Sequence, residues 1–424
     1  MNTLTEWLAH LESIHPKGQH GIELGLARVE RVKNELRQWQ HCPVIIVGGT
    51  NGKGSTCAYL ESIYRKAGFR TGCYTSPHLL AYNERVRVDG AAVADAPLCE
   101  AFARVEQARR AAGDVALTYF EFGTLAAWEV FAAQHVDVAI LEVGLGGRLD
   151  AVNVYEPDCA IVTGIALDHT DWLGSTREEI AVEKAGIFRA GKPAICADPE
   201  PPQTLLDRAA ALGADLRLIG RDFRASPGGA GWRFESPSAA LDDLPMPALR
   251  GDCQLRNAAA VMTALLCLQQ RLPVSREAIC GGLRETRLPG RFQVVGEGPA
   301  IILDVGHNPQ ALAELGRNLD AMPCGGKTLA VVGMLADKDI RVALAAVAGK
   351  MDVWLLAGLD TPRGAPAATL EKVVAALGGR VELFASPKDA FCRAVGLAGE
   401  NDRIAAFGSF YTVAAVLREL PDSA

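Results

Sequence analysis

The sequence lacks what several protein classes require. No charge-free apolar run is long enough to cross a bilayer, so no membrane partner is expected. The opening MNTLTEWLAHLESIHPKG has no basic start followed by an apolar stretch, which argues against a secretory signal. The 11 cysteines are an odd number, scattered singly between Cys42 and Cys392 with no C-x-x-C pair. That pattern fits reduced thiols in the cytoplasm rather than a disulfide frame or a thiolate zinc site. Positive charge is not in excess either. The net charge is -7, so a nucleic-acid partner, which needs a basic face, is not expected. A few local cations would still suffice for a small anionic substrate.

What is present is an alternating α/β pattern. At 424 residues the chain exceeds the size at which one core keeps growing, so two domains are expected. Thr5–Leu11 and Leu24–Leu36 read as helical. A clean βα unit follows: a buried strand at Val44–Val47, a glycine-rich turn at Gly48–Gly54, and a helix at Ser55–Ala67 stopped by Gly68. Short β-branched runs at Val136–Glu142, Cys159–Thr163 and Pro193–Cys196, separated by helical sequence, predict a mostly parallel sheet. The Pro-, Gly- and Ser-rich stretch 225–249 reads as hairpin or loop material.

Pro289-Gly290 marks a linker over 287–295 between a first domain, 1–286, and a second, 296–424. Beyond it, strands are expected at Ile301–Asp304, Thr328–Val332, Val353–Ala357, Val381–Phe384 and Arg403–Phe407. The fold class is therefore α/β: an N-terminal P-loop ATPase-type domain and a smaller C-terminal Rossmann-like domain.

Gly48-Gly49-Thr50-Asn51-Gly52-Lys53-Gly54-Ser55 stands between strand and helix, where a phosphate loop belongs. Glycines let backbone N–H groups turn towards phosphate oxygens, and the helix N-terminus adds partial positive charge. Lys53 would supply a cation to the β/γ-phosphates, and Ser55 or Thr56 a hydroxyl near a metal. The spacing departs from the general G-x-x-x-x-G-K-[ST] form, because Gly54 intervenes before Ser55. A glycine turn with a solvated lysine is the bland alternative. Glu142, at the carboxyl end of its strand, would point into the crevice where open α/β sheets bind ligands, and suits magnesium. His169, flanked by Asp168 and Asp171, reads either as a structural histidine or as part of the same site. Lys184 reads as a helix-surface lysine.

The ordered segments GTNGKGS, TSPHLLAYNERVRVDG, TYFEFGTLAAW, LEVGLGGRLDAVN, LDHTDWLGSTREEIAVEKAGIFR, GDCQLRNAA, RLPGRFQ and LDVGHNPQA, taken together, resemble the folylpolyglutamate synthase/dihydrofolate synthase family, relatives of the Mur ligases. The resemblance covers nearly the whole chain. It implies ATP contacts from Gly49, Thr50, Asn51, Gly52, Lys53, Gly54, Ser55, Thr56, Asn257, Arg291 and Asp304. Ser76, Glu142 and His169 would be metal ligands, with two Mg2+ in all. Lys184 would be carbamylated and help bind the second ion. Thr118, Tyr119, Phe120, Glu121, Leu149, Asp150 and Ala151 would line a dihydropteroate pocket. His307 and Ser409 would meet the incoming glutamate, and Lys53, Lys184 and His307 would be the catalytic groups.

One departure is visible: the family's Asp-Gly-Ala-His-Asn-Pro reads Asp304-Val305-Gly306-His307-Asn308-Pro309. Without the resemblance, TYFEF could be an aromatic core stripe, the arginines of NERVRVDG a solvated strand face, and Asn257 a helix residue bonding its own backbone.

The implied reaction is ATP-dependent addition of L-glutamate to 7,8-dihydropteroate and to tetrahydrofolate through an acyl phosphate, by a monomer whose domains close over the intermediate. Polyglutamylation alone, or a Mur-type peptidoglycan ligase, are the enzyme alternatives. The latter would normally carry a uridine-nucleotide domain ahead of its P-loop strand, for which Val44 lies too near the first residue. A non-catalytic nucleotide switch is the alternative of another class, and it leaves the second domain and the Asp304/His307 cluster without a role.

Overall fold

The computed structural model describes residues 1–16, 18, 21–229, 231–296 and 298–420. The chain divides into two compact units. One comprises Met1–Ala248 and Leu255–Thr286, the other Leu249–Gln254 and Arg287–Ala424.

The first unit is built on an eight-stranded sheet. Its strands are β1 (Val44–Gly48), β2 (Thr71–Tyr74), β3 (Val86–Val88), β4 (Ala91–Ala92), β5 (Val138–Glu142), β6 (Cys159–Val162), β7 (Pro193–Cys196) and β8 (Asp215–Leu218), in the spatial order β4-β3-β2-β5-β1-β6-β7-β8. All neighbours are parallel except β2–β3 and β3–β4. Strands β1 and β5 are buried at every position, as expected where helices cover both faces. A core of Ile46, Tyr74, Phe102, Phe122, Trp128 and Leu141 fills one face. Trp128 stacks on Tyr155 at 4.2 Å.

The register decides where chemistry can occur. Val47 lies beside Glu142, Gly48 beside Val162, and Tyr74 beside Leu141. The carboxyl ends of β1, β2, β5 and β6 therefore finish at one edge, the place where such sheets bind ligands. Order changes direction at β1, which sits between β5 and β6.

The stretch 225–249 is more regular than its composition suggests. It forms a separate antiparallel sheet of β9 (Arg224–Gly228), β10 (Gly231–Ser236) and β11 (Ala239–Leu244). Trp232 and Phe234 alternate inward along β10 and are wholly buried, whereas the intervening Arg233 is exposed.

The second unit carries β12 (Gln293–Val295), β13 (Ala300–Asp304), β14 (Thr328–Val332), β15 (Val353–Ala357), β16 (Val381–Phe384) and β17 (Arg403–Phe407), ordered β12-β13-β17-β14-β15-β16. Only β12 is antiparallel. The expected linker 287–295 is thus not all loop, because its last three residues pair with β13. Among the described residues, no helix is long and apolar enough to cross a membrane.

Candidate active site

The glycine-rich turn follows β1 and leads into the helix Lys53–Lys66, two residues earlier than the sequence reading placed its start. Gly52 caps this helix in the left-handed region, with φ of 90° and no side chain to occupy the first-turn amides. A Cβ there would meet Asn257 Oδ1 at 2.8 Å, which places Asn257 against the loop. At Gly49, with φ of 136°, a Cβ would collide with Thr163 Oγ1. Both positions need glycine for conformation and for space.

The loop is clamped to the segment after β6. The Thr50 N–H donates to Gly164 O at 2.7 Å. The Thr50 hydroxyl donates to Ala166 O at 3.1 Å and accepts the Ala166 N–H at 3.0 Å. Thr163 Oγ1 donates to Asn51 O at 2.6 Å. Lys53 folds back over the loop, its Nζ donating to Gly49 O at 3.1 Å and Thr50 O at 3.2 Å. Ser55 and Thr56 are buried on the first turn, close behind Gly54. Thr163 escaped the sequence reading because a threonine ending an apolar run carries no motif. Only the pairing of β1 with β6 brings it to the loop.

Glu142 ends β5 with 5% exposure, and its Oε2 accepts the Ser76 N–H at 3.1 Å. Two of the residues expected to hold a metal, Ser76 and Glu142, are therefore hydrogen-bonded neighbours at the edge that carries the phosphate loop. His169 occupies a left-handed position at the start of the turn Thr170–Leu173, 4.0 Å from Asp168. No group of three or more His, Cys, Asp or Glu clusters among the described residues. A hydroxyl, one carboxylate and an imidazole suit a hard cation that takes its remaining ligands from phosphate and water.

Lys184 is not the surface lysine that its helix suggested. The helix Arg177–Ala185 turns it inward, leaving 3% exposure. Burial first, then the Lys53 charge, lower its pKa to about 7, against the opposing pull of Asp168 and Asp150. The glycine loop after β5 packs directly on this turn: a Cβ on Gly147 would lie 2.7 Å from Glu183 O. Arg148 N–H donates to Glu183 O at 2.8 Å. Asp150 is pushed up to about 7 by burial, although the N–H groups of Leu145 and Val152 bond its carboxylate at 2.8 and 3.1 Å.

The aromatic segment is both core and surface. Thr118 caps the helix Tyr119–Ala133 in a capping box with Glu121, which also pairs with Arg28 at 3.0 Å. Phe122 is wholly buried, Tyr119 nearly so, and Phe120 half-buried beside Tyr74 at 5.7 Å. Phe120 also fills the space over Gly144. Leu149, Asp150 and Ala151 follow in the glycine loop, with Leu149 O accepting the Gly25 N–H at 3.2 Å. The aromatic-stripe reading thus fits Phe122 and Tyr119, whereas Phe120 is the partly exposed ring of the turn.

In the second unit Asp304 ends β13, opposite Phe407 at the end of β17. Its carboxylate accepts Phe292 N–H at 3.0 Å and Gly306 N–H at 2.7 Å. Burial raises its pKa, against the pull of Arg291. His307 Nδ1 lies 2.9 Å from Val305 O, so this nitrogen must donate. Arg291 stands over the Phe410 ring at 5.7 Å. Ser409 Oγ caps the last helix by accepting the Thr412 N–H at 3.0 Å.

A parallel sheet with a phosphate loop, a second Rossmann-like sheet and this set of side chains define an ATP-dependent ligase of the Mur type. Residues 47–222 match the Mur ligase middle domain and residues 290–410 the Mur ligase glutamate ligase domain. The chain is 46% identical to the dihydrofolate synthase/folylpolyglutamate synthase of Escherichia coli K12, over 98% of this chain and 94% of that protein. It superposes on E. coli FolC in complex with DHPP and ADP with a TM-score of 0.93 and 45% identity, covering 99% and 97% of the two chains. A Yersinia pestis bifunctional folylpolyglutamate synthase/dihydrofolate synthase complexed with AMPPNP and Mn ion gives 0.91 and 44%, covering 99% and 98%. The chain belongs to the dihydrofolate synthase/folylpolyglutamate synthase family.

Proposed function

We propose that this enzyme adds L-glutamate to 7,8-dihydropteroate and to tetrahydrofolate, using ATP and a divalent metal. The observation that carries this reading is the convergence at one sheet edge of the phosphate loop with Lys53, the Ser76–Glu142 pair and the buried Lys184. A carboxylate of the pteroyl substrate attacks the γ-phosphorus, forming an acyl phosphate and releasing ADP. The neutral α-amine of glutamate then attacks that carbonyl, losing a proton as inorganic phosphate departs. Phosphoryl transfer demands positioning and charge neutralisation above all.

We assign Gly49, Thr50, Asn51, Gly52, Gly54, Ser55 and Thr56 to the phosphates, with Lys53 swinging from its carbonyl partners onto the transferred group. Asn257, Arg291 and Asp304 are assigned to the nucleotide. Ser76, Glu142 and His169 are the residues that would hold magnesium, which when bound neutralises the phosphate charge. A neutral Lys184 amine can add carbon dioxide, forming an N–C bond and losing a proton. The product carbamate is an anion suited to a second ion, and a pKa near 7 makes the neutral amine available.

Thr118, Tyr119, Phe120, Glu121, Leu149, Asp150 and Ala151 are assigned to the pterin, with Phe120 offering an aromatic face. His307 is assigned to the glutamate, and Ser409 to the same substrate through the helix end it caps. The 11 cysteines are free thiols, which supports a cytoplasmic setting. We take residues 1–286 as the ATP and pterin domain, 296–424 as the glutamate-ligase domain, and the enzyme as a monomer.

An ADP-release assay with glutamate and either dihydropteroate or tetrahydrofolate tests the reading. Release with both acceptors is expected. Release with tetrahydrofolate alone would reduce the function to polyglutamylation, and release with neither would refute it.

A further inference from the structure

The proposed reaction gives the arginines of the NERVRVDG segment no role. One of them is not on a solvated strand face. Arg87, on β3, has a side chain only 16% exposed, and its donors are directed to the phosphate-loop helix, to β2 and to the loop that follows β2. Its Nε donates to Glu61 Oε2 at 3.0 Å, and the ion pair through Nη2 spans 2.9 Å. Glu61 lies on the helix that begins at Lys53, and its side chain is 8% exposed. Nη1 donates to Thr75 Oγ1 at 3.1 Å and to Glu84 O at 3.3 Å. Nη2 also reaches Cys73 Sγ at 3.2 Å.

Thr75 and Glu84 stand near the two ends of one loop. It is closed by the Thr75 N–H donating to Arg85 O at 2.9 Å. The Glu84 carboxylate stiffens it from within, accepting the N–H groups of Leu79, Leu80 and Ala81, each at 2.7 Å. Ser76 is the loop's second residue, and its N–H bonds Glu142. A single planar fork thus grips both ends of the loop and ties them to the phosphate-loop helix. Only a guanidinium offers enough fixed donors for this, because a lysine ammonium is a point charge on a flexible stem.

We propose that Arg87 is a positioning residue that holds the Thr75–Arg85 loop against the phosphate-loop helix, so that the Ser76 hydroxyl meets the divalent metal bound with the nucleotide. This rests on the assignment of Ser76 as a metal ligand. Groups behind a metal's direct ligands set its affinity, and their loss typically weakens binding by about 10- to 100-fold.

The test uses Arg87→Lys and the double variant Glu61→Leu/Arg87→Met. The second removes the buried pair together, so that no unpaired charge remains to unfold the protein. Three quantities are measured: amide hydrogen exchange of residues 75–85 without metal, ADP affinity without metal, and Mn2+ affinity of the ADP complex by electron paramagnetic resonance. Faster loop exchange and Mn2+ affinity weakened roughly tenfold or more, with metal-free ADP affinity unchanged, are expected in both variants. Unchanged Mn2+ affinity, or a parallel loss of metal-free ADP affinity, would overturn the inference. Ser76→Ala separates the two claims. If it too binds Mn2+ as the wild type does, the metal role of Ser76 fails and takes the inference with it. If it weakens Mn2+ while the Arg87 variants do not, the metal role stands and the positioning role falls.

Discussion

Burial sets the chemistry of Lys184. Its folded-state pKa of about 7 lies below the ordinary 10.5, chiefly through burial. Below pH 7 the amine is protonated both folded and unfolded, so the full cost of burying the charge is present. Between about 7 and 10.5 the unfolded chain binds more protons, and stability rises with pH until the cost is gone. Denaturation midpoints of wild type and Lys184→Met in carbon-dioxide-free buffer should therefore converge as pH rises through that window. A constant difference would contradict the shift. Lys184→Ala should lose activity that short carboxylic acids partly restore, whereas restoration by Lys184→Arg would argue against a carbamate. Lys53 is half-exposed, and its amine donates to the loop carbonyls of Gly49 and Thr50. Lys53→Ala should keep the wild-type melting temperature and lose roughly 10²–10³-fold in kcat, the scale of one lost charge-stabilising donor. Substantial residual turnover would count against its phosphate role.

At the scale of elements, the phosphate-loop helix offers an internal comparison. Gly49 and Gly68 bracket it, and both have positive φ, yet only Gly49 is crowded. Gly49→Ala should weaken ADP binding roughly tenfold or more, since a non-glycine residue in such a region costs about 1–3 kcal/mol and here collides with Thr163 besides. Gly68→Ala has open space around it, so it should cost only the left-handed backbone penalty of about 1–2 kcal/mol of stability and leave ADP affinity untouched. Calorimetric titration of both variants reads the contrast directly, and equal losses of affinity would show that the loop geometry at Gly49 is not what binds. The strand reading illustrates the same locality. The expected bounds of Pro193–Cys196, Thr328–Val332 and Val353–Ala357 coincide with the observed strands, because each is a short apolar run buried on both faces. Strand β8, sequence Asp-Leu-Arg-Leu, is only partly buried and shows no such run, and β2, sequence Thr-Gly-Cys-Tyr, has none either, its Gly72 packed under Phe131. Neither was legible, since what makes them strands is their neighbour in the sheet.

For the molecule as a whole, nucleotide binding should appear as stability. ADP with Mg2+ at about 100 times its Kd adds about 2.7 kcal/mol to the state that binds it, so the wild-type melting temperature should rise on titration. Lys53→Ala should show little of that rise. Hydroxylamine present during turnover should trap an acyl hydroxamate of the pteroyl substrate, and its absence under conditions that trap a known acyl phosphate would weaken the proposed route.

Periodicity, glycine placement and the ordered motifs determined the two α/β domains, the phosphate loop and its lysine. Those are properties of contiguous sequence, in which spacing alone dictates strand, turn and helix. Tertiary structure alone decided that Lys184 is buried, that Thr163 and Asn257 pack on the loop glycines, and that Arg87 ties the Thr75–Arg85 loop and β2 to the phosphate-loop helix. Each depends on residues distant in sequence meeting where parallel strands end together, and no local pattern encodes which side chain the sheet register will bring alongside.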